Sequence, residues 1–123
     1  MALSITRVQD SRTNLGLGLV QESWLLAPGT SDYVTNGYVI TASAVGLKLI
    51  QSADINGENA TALGWNGYCV FPLAQIATGA NAGQGESGYT QFLFALFVIT
   101  TGVQLGAGGN ATGSIWTVTI QGY

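Results

Sequence analysis

The longest apolar run in the chain is Phe92-Leu93-Phe94-Ala95-Leu96-Phe97-Val98-Ile99, and this run decides the fold class. It lies within a longer segment of β-forming residues, Tyr89 to Thr101, bounded by glycine-rich stretches. A membrane-spanning helix needs about 20 apolar residues, so the run is too short to cross a membrane as a helix. A short, continuous apolar run between glycine-rich segments is typical of a buried strand. We therefore predict a central strand over Tyr89 to Thr101, buried on both faces.

Alternation of apolar and polar residues predicts further strands on both sides of this segment. The clearest alternation runs from Ser114 to Gln121, at the end of the chain. Four more strands are predicted over Leu3 to Asp10, Leu15 to Leu26, Lys48 to Ala53 and Tyr68 to Leu73. In the second of these, the glycines at 16 and 18 predict a bulge or the close approach of another backbone.

Turn-forming residues separate the predicted strands. Asn-Gly pairs at 36–37, 56–57 and 66–67 favour tight hairpin turns, because both residues adopt positive φ at low cost. Thr41 is predicted to cap a single helical turn that ends at Gly46. Together these features predict one all-β domain over residues 1–123, a β-sandwich or barrel of about seven to eight strands with one short helical turn.

Charged side chains are scarce in this sequence. They make up 7 % of the residues, whereas an ordinary soluble domain contains about a quarter. The polar remainder is mostly hydroxyls and amides, which can contact another protein without the cost of burying a charge. Three cations and a net charge of −3 argue against nucleic-acid binding, which depends on clustered Lys and Arg. We predict a neutral surface that contacts protein, with neither nucleic acid nor membrane as a partner.

The sequence offers few groups for catalysis or metal binding. It has no histidine, so a serine or cysteine nucleophile would lack its usual base. Cys69 lies in an apolar stretch and is predicted to be a small buried hydrophobe. Residues 54–58 resemble a calcium loop in composition only, and residues 106–110 lack the Gly-Lys-Ser/Thr continuation of a phosphate loop. We therefore predict no enzymatic activity, no catalytic residue, no cofactor and no metal.

Three stretches, Met1 to Val8, Tyr33 to Leu47 and Ile120 to Tyr123, resemble small virion proteins of tailed bacteriophages. In the second stretch, an Asn-Gly-Tyr turn runs into a Thr-capped turn that ends in Gly-Leu. The family includes capsid decoration, or cement, proteins, and the matching residues cover about a quarter of the chain. The resemblance implies a β-rich structural protein that docks on the outside of a capsid, often as trimers. Its partners would then be the major capsid protein and its own copies.

The same resemblance implies a location on the virion surface. The opening residues lack the basic head and apolar run of a secretory signal, so we expect synthesis in the host cytoplasm. Candidate contacts fall in an N-terminal arm over residues 1–10 and in the loop over 77–88. The contact residues proposed there are Met1, Ala2, Leu3, Ala80, Asn81, Gln84 and Ser87. Alternatively, both segments are a chain end and a loop without a partner.

Two other functions stay open. Trp65 and Tyr68 could stack a ligand in a carbohydrate- or receptor-binding module on the head surface or tail tip. Core or interface packing is the favoured role for Trp65, as it is for the mid-strand residues Trp24 and Trp116. A small self-assembling coat protein is a third function, which the shortage of cations disfavours for a shell that packages nucleic acid.

Overall fold

The structure is a computed structural model that describes residues 3–59, 63–71 and 89–123. Within these ranges, eight β-strands and one 3-10 turn follow one another along the chain. The strands are β1 (Ser4–Arg7), β2 (Thr13–Gly16), β3 (Leu19–Ala27), β4 (Tyr38–Thr41), β5 (Ile50–Gly57), β6 (Trp65–Val70), β7 (Gln91–Val98) and β8 (Trp116–Gly122). The 3-10 turn, Ser43–Val45, lies between β4 and β5.

The strands form two antiparallel sheets that pack as a β-sandwich, so the predicted fold class is confirmed. Sheet A has five strands in the order β1-β3-β8-β5, with β2 also paired to β3. Sheet B has three strands in the order β4-β7-β6. One face of each sheet contributes to a common apolar core, in which Leu26, Ile40, Phe92, Phe94 and Val118 are completely buried.

The apolar run forms β7, which lies between β4 and β6 at the centre of sheet B as predicted. Phe92, Phe94 and Leu96 point into the core and are completely buried. On the opposite face, Ala95 is buried, whereas Leu93 and Phe97 are only half-buried. The prediction of a strand buried on both faces is therefore wrong for Leu93 and Phe97, which keep part of their surface in water.

The predicted alternation at the end of the chain is confirmed in β8, the central strand of sheet A. Its residue Trp116 is 2 % exposed, and its ring meets that of Phe94 edge-on at 5.2 Å between centroids. The indole Nε1 donates to the buried Ser114 Oγ at 3.0 Å. The ring also lies against the backbone of β6, where a Cβ on Gly67 would come within 2.6 Å of it. Trp116 therefore joins the two sheets.

The predicted single strand over Leu15 to Leu26 is wrong, because the chain turns back on itself at Leu17. Gly16, Leu17 and Gly18 all have positive φ, and the turn they form connects β2 to β3. The predicted bulge is present, since the register between β2 and β3 shifts between Asn14 and Gly16. An alternating pattern continues across a tight hairpin, which explains the error.

A tight hairpin turn was predicted at each of the three Asn-Gly pairs. Only the pair at 36–37 forms a turn, and that turn is not part of a hairpin. Asn36 and Gly37 have positive φ, and the Gly37 N–H donates to the Val34 carbonyl, but the turn does not join paired strands. The pairs at 56–57 and 66–67 lie inside β5 and β6. Gly67 is required because the Trp116 ring leaves no room for a Cβ at this position, and not because the chain turns there.

The predicted helical turn is confirmed, in 3-10 form. The Ala44 N–H donates to Thr41 Oγ1 at 3.2 Å, but Ala42, and not Thr41 as predicted, is the N-cap residue of the turn. Gly46 ends it in a left-handed conformation with φ of 74°.

Candidate interaction surface

The predicted N-terminal arm is, in its described part, an edge strand of sheet A. Ser4–Arg7 pair with β3, and Leu3 is half-buried against the core. Residues 8–12 connect β1 to β2 and do not pair with β3 as a regular strand. There the Ser23 N–H of β3 donates to the side chain of Ser11, at Oγ, over 3.1 Å. Met1, Ala2, Ala80, Asn81, Gln84, Ser87 and the whole loop over 77–88 lie outside the described residues.

Trp65 and Tyr68, the predicted stacking pair, lie on opposite faces of β6. Trp65 is half-buried and packs against the core. Tyr68 is 53 % exposed on the outer face, where its ring meets Phe97 edge-on at 5.4 Å between centroids. Because one ring faces the core and the other faces outward, the structure does not bring them together into a shared stacking platform.

Tyr68 belongs instead to an apolar surface on the outside of sheet B. The strand register places Val39, Leu93 and Val70 in one row across β4, β7 and β6, with Ala95 and Tyr68 in the next row. Val39 is 50 % and Val70 is 44 % exposed, and Phe97 extends the surface along β7. We call Val39, Tyr68, Val70, Leu93, Ala95 and Phe97 the apolar face.

No charged residue lies on any strand of sheet B. The sequences of β4, β6 and β7 are YVIT, WNGYCV and QFLFALFV. Protein interfaces have this composition at their centres, where charged residues are depleted and aromatic residues enriched. The apolar face therefore has the chemistry of a surface that another protein covers.

The outer face of sheet A has a different chemistry. Most of its residues are hydroxyls and amides arranged in rows by the register, with the carboxylate Asp54 among them, and we call Gln21, Ser23, Ser52, Asp54, Thr119 and Gln121 the polar face. Gln121 Nε2 donates to Gln21 Oε1 at 2.8 Å, and the hydroxyls of Ser23 and Thr119 are 3.4 Å apart. These side chains thus meet part of their hydrogen-bonding needs among themselves.

Two carboxylates are held inside the structure and serve the fold. Glu22 is 8 % exposed and lies 3.6 Å from Arg7 Nη1, whose side chain is 59 % exposed, so this ion pair ties β1 to β3. The Tyr38 hydroxyl donates to Asp32 Oδ1 at 2.5 Å. Burial, with a smaller contribution from that hydrogen bond, raises the pKa of Tyr38.

Cys69 is not poised for nucleophilic chemistry. It lies half-buried against the core, and burial, helped by the negative charge of Asp54, raises the pKa of its thiol to about 12. Only the thiolate is a nucleophile, so at neutral pH Cys69 stays protonated and acts as a small apolar side chain. Across the described residues, no group of three or more His, Cys, Asp and Glu side chains could hold a metal ion. Nor does any described helix have the length and hydropathy to traverse a bilayer.

The β2–β3 hairpin carries a second apolar feature that the sequence analysis missed. Leu17 is fully exposed at its turn, and Leu15 beside it is 44 % exposed. We call Leu15, Gly16, Leu17 and Gly18 the hairpin tip. The sequence signal was a leucine between two glycines, but the alternating pattern concealed it within a single predicted strand.

Comparison of the chain with family models, curated proteins and solved structures found no match. What the chain binds must therefore be inferred from its own surfaces.

Proposed function

We propose that this chain is a non-enzymatic structural protein of a tailed-bacteriophage virion that binds the outside of the capsid and stabilises or decorates it. The observation that carries the proposal is the apolar face, an outward-facing sheet surface without a single charged residue on its three strands. Leaving such a surface in water is unfavourable, because exposed apolar area costs about 25 cal/mol per Å² relative to burial. Large exposed apolar patches mark sites of protein or membrane contact.

A protein partner fits the rest of the exterior. The polar face presents amides and hydroxyls that can hydrogen-bond to a neighbouring chain, and Asp54 is the one carboxylate among its residues. An anionic nucleic acid or membrane surface would need clustered cations, which the sequence lacks. A two-layered sandwich with so few charges on its outer faces is suited to lie between, or upon, other subunits.

The capsid as the specific partner comes from the resemblance to phage decoration proteins. Its central stretch, Tyr33 to Leu47, contains the Asn-Gly turn and the 3-10 turn that ends at Gly46, where the Ala44 N–H donates to Thr41 Oγ1. A capsid presents many identical sites, so an oligomer that engages several of them gains avidity even where each contact is weak.

Co-sedimentation with capsids tests this proposal. Capsids assembled without this protein, from the phage whose genome encodes it, are mixed with increasing amounts of the purified chain. We expect saturable binding at a fixed number of copies per capsid. Binding that never saturates, or a chain that stays in the supernatant at every concentration, would refute the proposal.

A matched pair of variants locates the contact. Val39→Asp with Val70→Asp places two charges on the apolar face, and Ser52→Asp with Asn56→Asp places two on the outside of sheet A. All four positions are exposed, so both variants should fold. We expect the first variant to lose at least tenfold in apparent capsid affinity and the second to bind within about twofold of the unmodified chain.

A further inference from the structure

The three Asn-Gly pairs of the chain are chemically alike but are held differently by the fold. In such a pair the backbone nitrogen of the glycine can attack the side-chain carbonyl carbon of the asparagine, since glycine has no side chain to hinder the approach. The two atoms must first be brought together, and this requires rotation of the asparagine main chain. All three pairs lie among the described residues, at 36–37, 56–57 and 66–67. The structure therefore decides which pair can react.

The pair at 56–57 is fixed on both sides. Asn56 and Gly57 belong to the ladder between β5 and β8. Immediately after them, the Glu58 N–H donates to the Ile115 carbonyl at 2.8 Å. Rotation at Asn56 would displace one side or the other of this ladder, so several hydrogen bonds would have to open together.

The pair at 66–67 is fixed by its ladder and by packing. Asn66 and Gly67 lie inside β6 and pair with β7 on both sides. A Cβ on Gly67 would come within 2.6 Å of the Trp116 ring, so the glycine is also held closely against sheet A. Rotation at Asn66 would disturb the contact between the two sheets.

The pair at 36–37 has one free side. Val34, Thr35 and Asn36 are exposed and belong to no strand. Gly37 is buried, and a Cβ there would come within 2.7 Å of the Phe94 carbonyl oxygen, so the glycine is seated on β7. The exposed side can rotate once the hydrogen bond from the Gly37 N–H to the Val34 carbonyl, 2.8 Å long, has opened. A single hydrogen bond makes only a small net contribution to stability, so this opening is the easiest of the three.

We infer that Asn36 is a site of spontaneous modification, at which the chain converts this asparagine to aspartate and isoaspartate with water as the co-reactant. The Gly37 nitrogen bonds to Asn36 Cγ while the bond from Cγ to Nδ2 breaks. The side-chain nitrogen leaves as ammonia, with the proton that the Gly37 nitrogen gives up. One water then opens the cyclic imide at either of its two carbonyl carbons. Opening at Cγ gives aspartate, and opening at the main-chain carbonyl carbon gives isoaspartate.

The two products differ in their effect on the fold. Both place a negative charge at the entry to β4, where the neutral sheet B begins. Isoaspartate also inserts its Cβ into the main chain and so lengthens it by one atom. Because Gly37 lies against the Phe94 carbonyl without room for an added atom, isoaspartate should disturb the start of β4. Aspartate keeps the normal main chain and should leave the packing intact.

Peptide mapping by mass spectrometry, with the rate of conversion measured at each asparagine, tests the site. One sample of the purified chain is kept folded in mildly alkaline buffer, in which the attacking nitrogen loses its proton more readily. A second sample is kept unfolded in concentrated urea at the same pH, and the ratio of unfolded to folded rate gives the protection at each pair. We expect protection at Asn56 and Asn66 to exceed that at Asn36 by about tenfold or more, the factor for about one further net hydrogen bond to open. Protection at Asn36 equal to or greater than that at the other two pairs would overturn the inference.

Two variants separate the charge from the altered main chain. Asn36→Asp carries the charge alone and should melt at the temperature of the fresh, unmodified chain. The aged, unmodified chain should melt at a lower temperature, in proportion to its isoaspartate content. Asn36→Gln has a longer side chain that forms the cyclic imide far more slowly, so the aged variant should keep its melting temperature. An aged Asn36→Gln chain that loses as much stability as the aged, unmodified chain would overturn the inference. The reaction needs neither a capsid nor a second copy, so these outcomes are independent of the proposed function.

Discussion

The two outer faces of this sandwich, both poor in charged residues, differ in chemistry. On sheet A, amides and hydroxyls hydrogen-bond to one another, as Gln121 does to Gln21 at 2.8 Å. On sheet B, Val39, Leu93 and Val70 form an apolar row in which Val39 and Val70 are about half exposed. A face that is neutral but polar can stay hydrated, whereas a neutral apolar face gains free energy when another surface covers it. The low charge of the chain therefore has two consequences, and sheet B alone presents a strong driving force for association.

The largest expected effect on stability is the difference between substitutions on the inner and the outer face of β7. Phe94→Ala should lower the free energy of unfolding by about 3–5 kcal/mol, because Phe94 is completely buried between Tyr38 and Trp116. Phe97→Ala, on the outer face of the same strand, should cost only about 1 kcal/mol, since Phe97 is half-buried. Urea denaturation of both variants, at a concentration where the chain is monomeric, measures the difference. Equal losses would mean that the outer face is already covered within the chain.

An intermediate effect is expected where the Trp116 ring of sheet A lies against Gly67 of sheet B. Gly67→Ala should destabilise the fold by about 2 kcal/mol, because the new methyl group would lie 2.6 Å from the Trp116 ring. Gly106→Ala is the control, since a Cβ there meets no atom within 4 Å and its stability should change by about 0.5 kcal/mol or less. Thermal denaturation and tryptophan fluorescence report on both. A Gly67→Ala chain as stable as the control would contradict the packing of Trp116 against β6.

The smallest effect on stability comes from exchanging one side chain on each outer face. Val39→Thr and Thr119→Val are nearly equal in volume and lie on exposed or half-exposed strand positions. Each should change the free energy of unfolding by about 0.5 kcal/mol or less. Their effects on association should differ, because only Val39→Thr removes apolar area from the surface proposed to bind a partner.

Analytical ultracentrifugation tests this contrast. The comparison of the two faces would fail if Thr119→Val increased association as strongly as Val39→Thr decreased it.

Strand positions were more predictable than strand pairing. The apolar run and the alternation after Ser114 located β7 and β8, because burial repeats along a strand with a fixed period. Asn66 and Gly67 were predicted as a turn yet lie inside β6, since the demand for glycine comes from Trp116, which is 49 residues further along the chain. No local pattern contains that information.

For the candidate surface, too, the sequence located individual residues but not the neighbours that strand pairing gives them. The sequence paired Tyr68 with Trp65 as a candidate stacking site, but Trp65 faces the core. The true neighbours of Tyr68 are Ala95 and Phe97, which the β6–β7 pairing brings beside it. Leu17 escaped notice because a hairpin and a continuous strand share the same alternation until the pairing is known.

Composition and period alone determined that this chain forms a neutral, all-β domain poor in reactive groups, because those properties depend on which residues are present and how they alternate. Only the tertiary structure decided that the outer face of sheet A is mostly polar and that of sheet B mostly apolar. That arrangement depends on which strands pair and in what register, and pairing is set by contacts between segments far apart in the sequence.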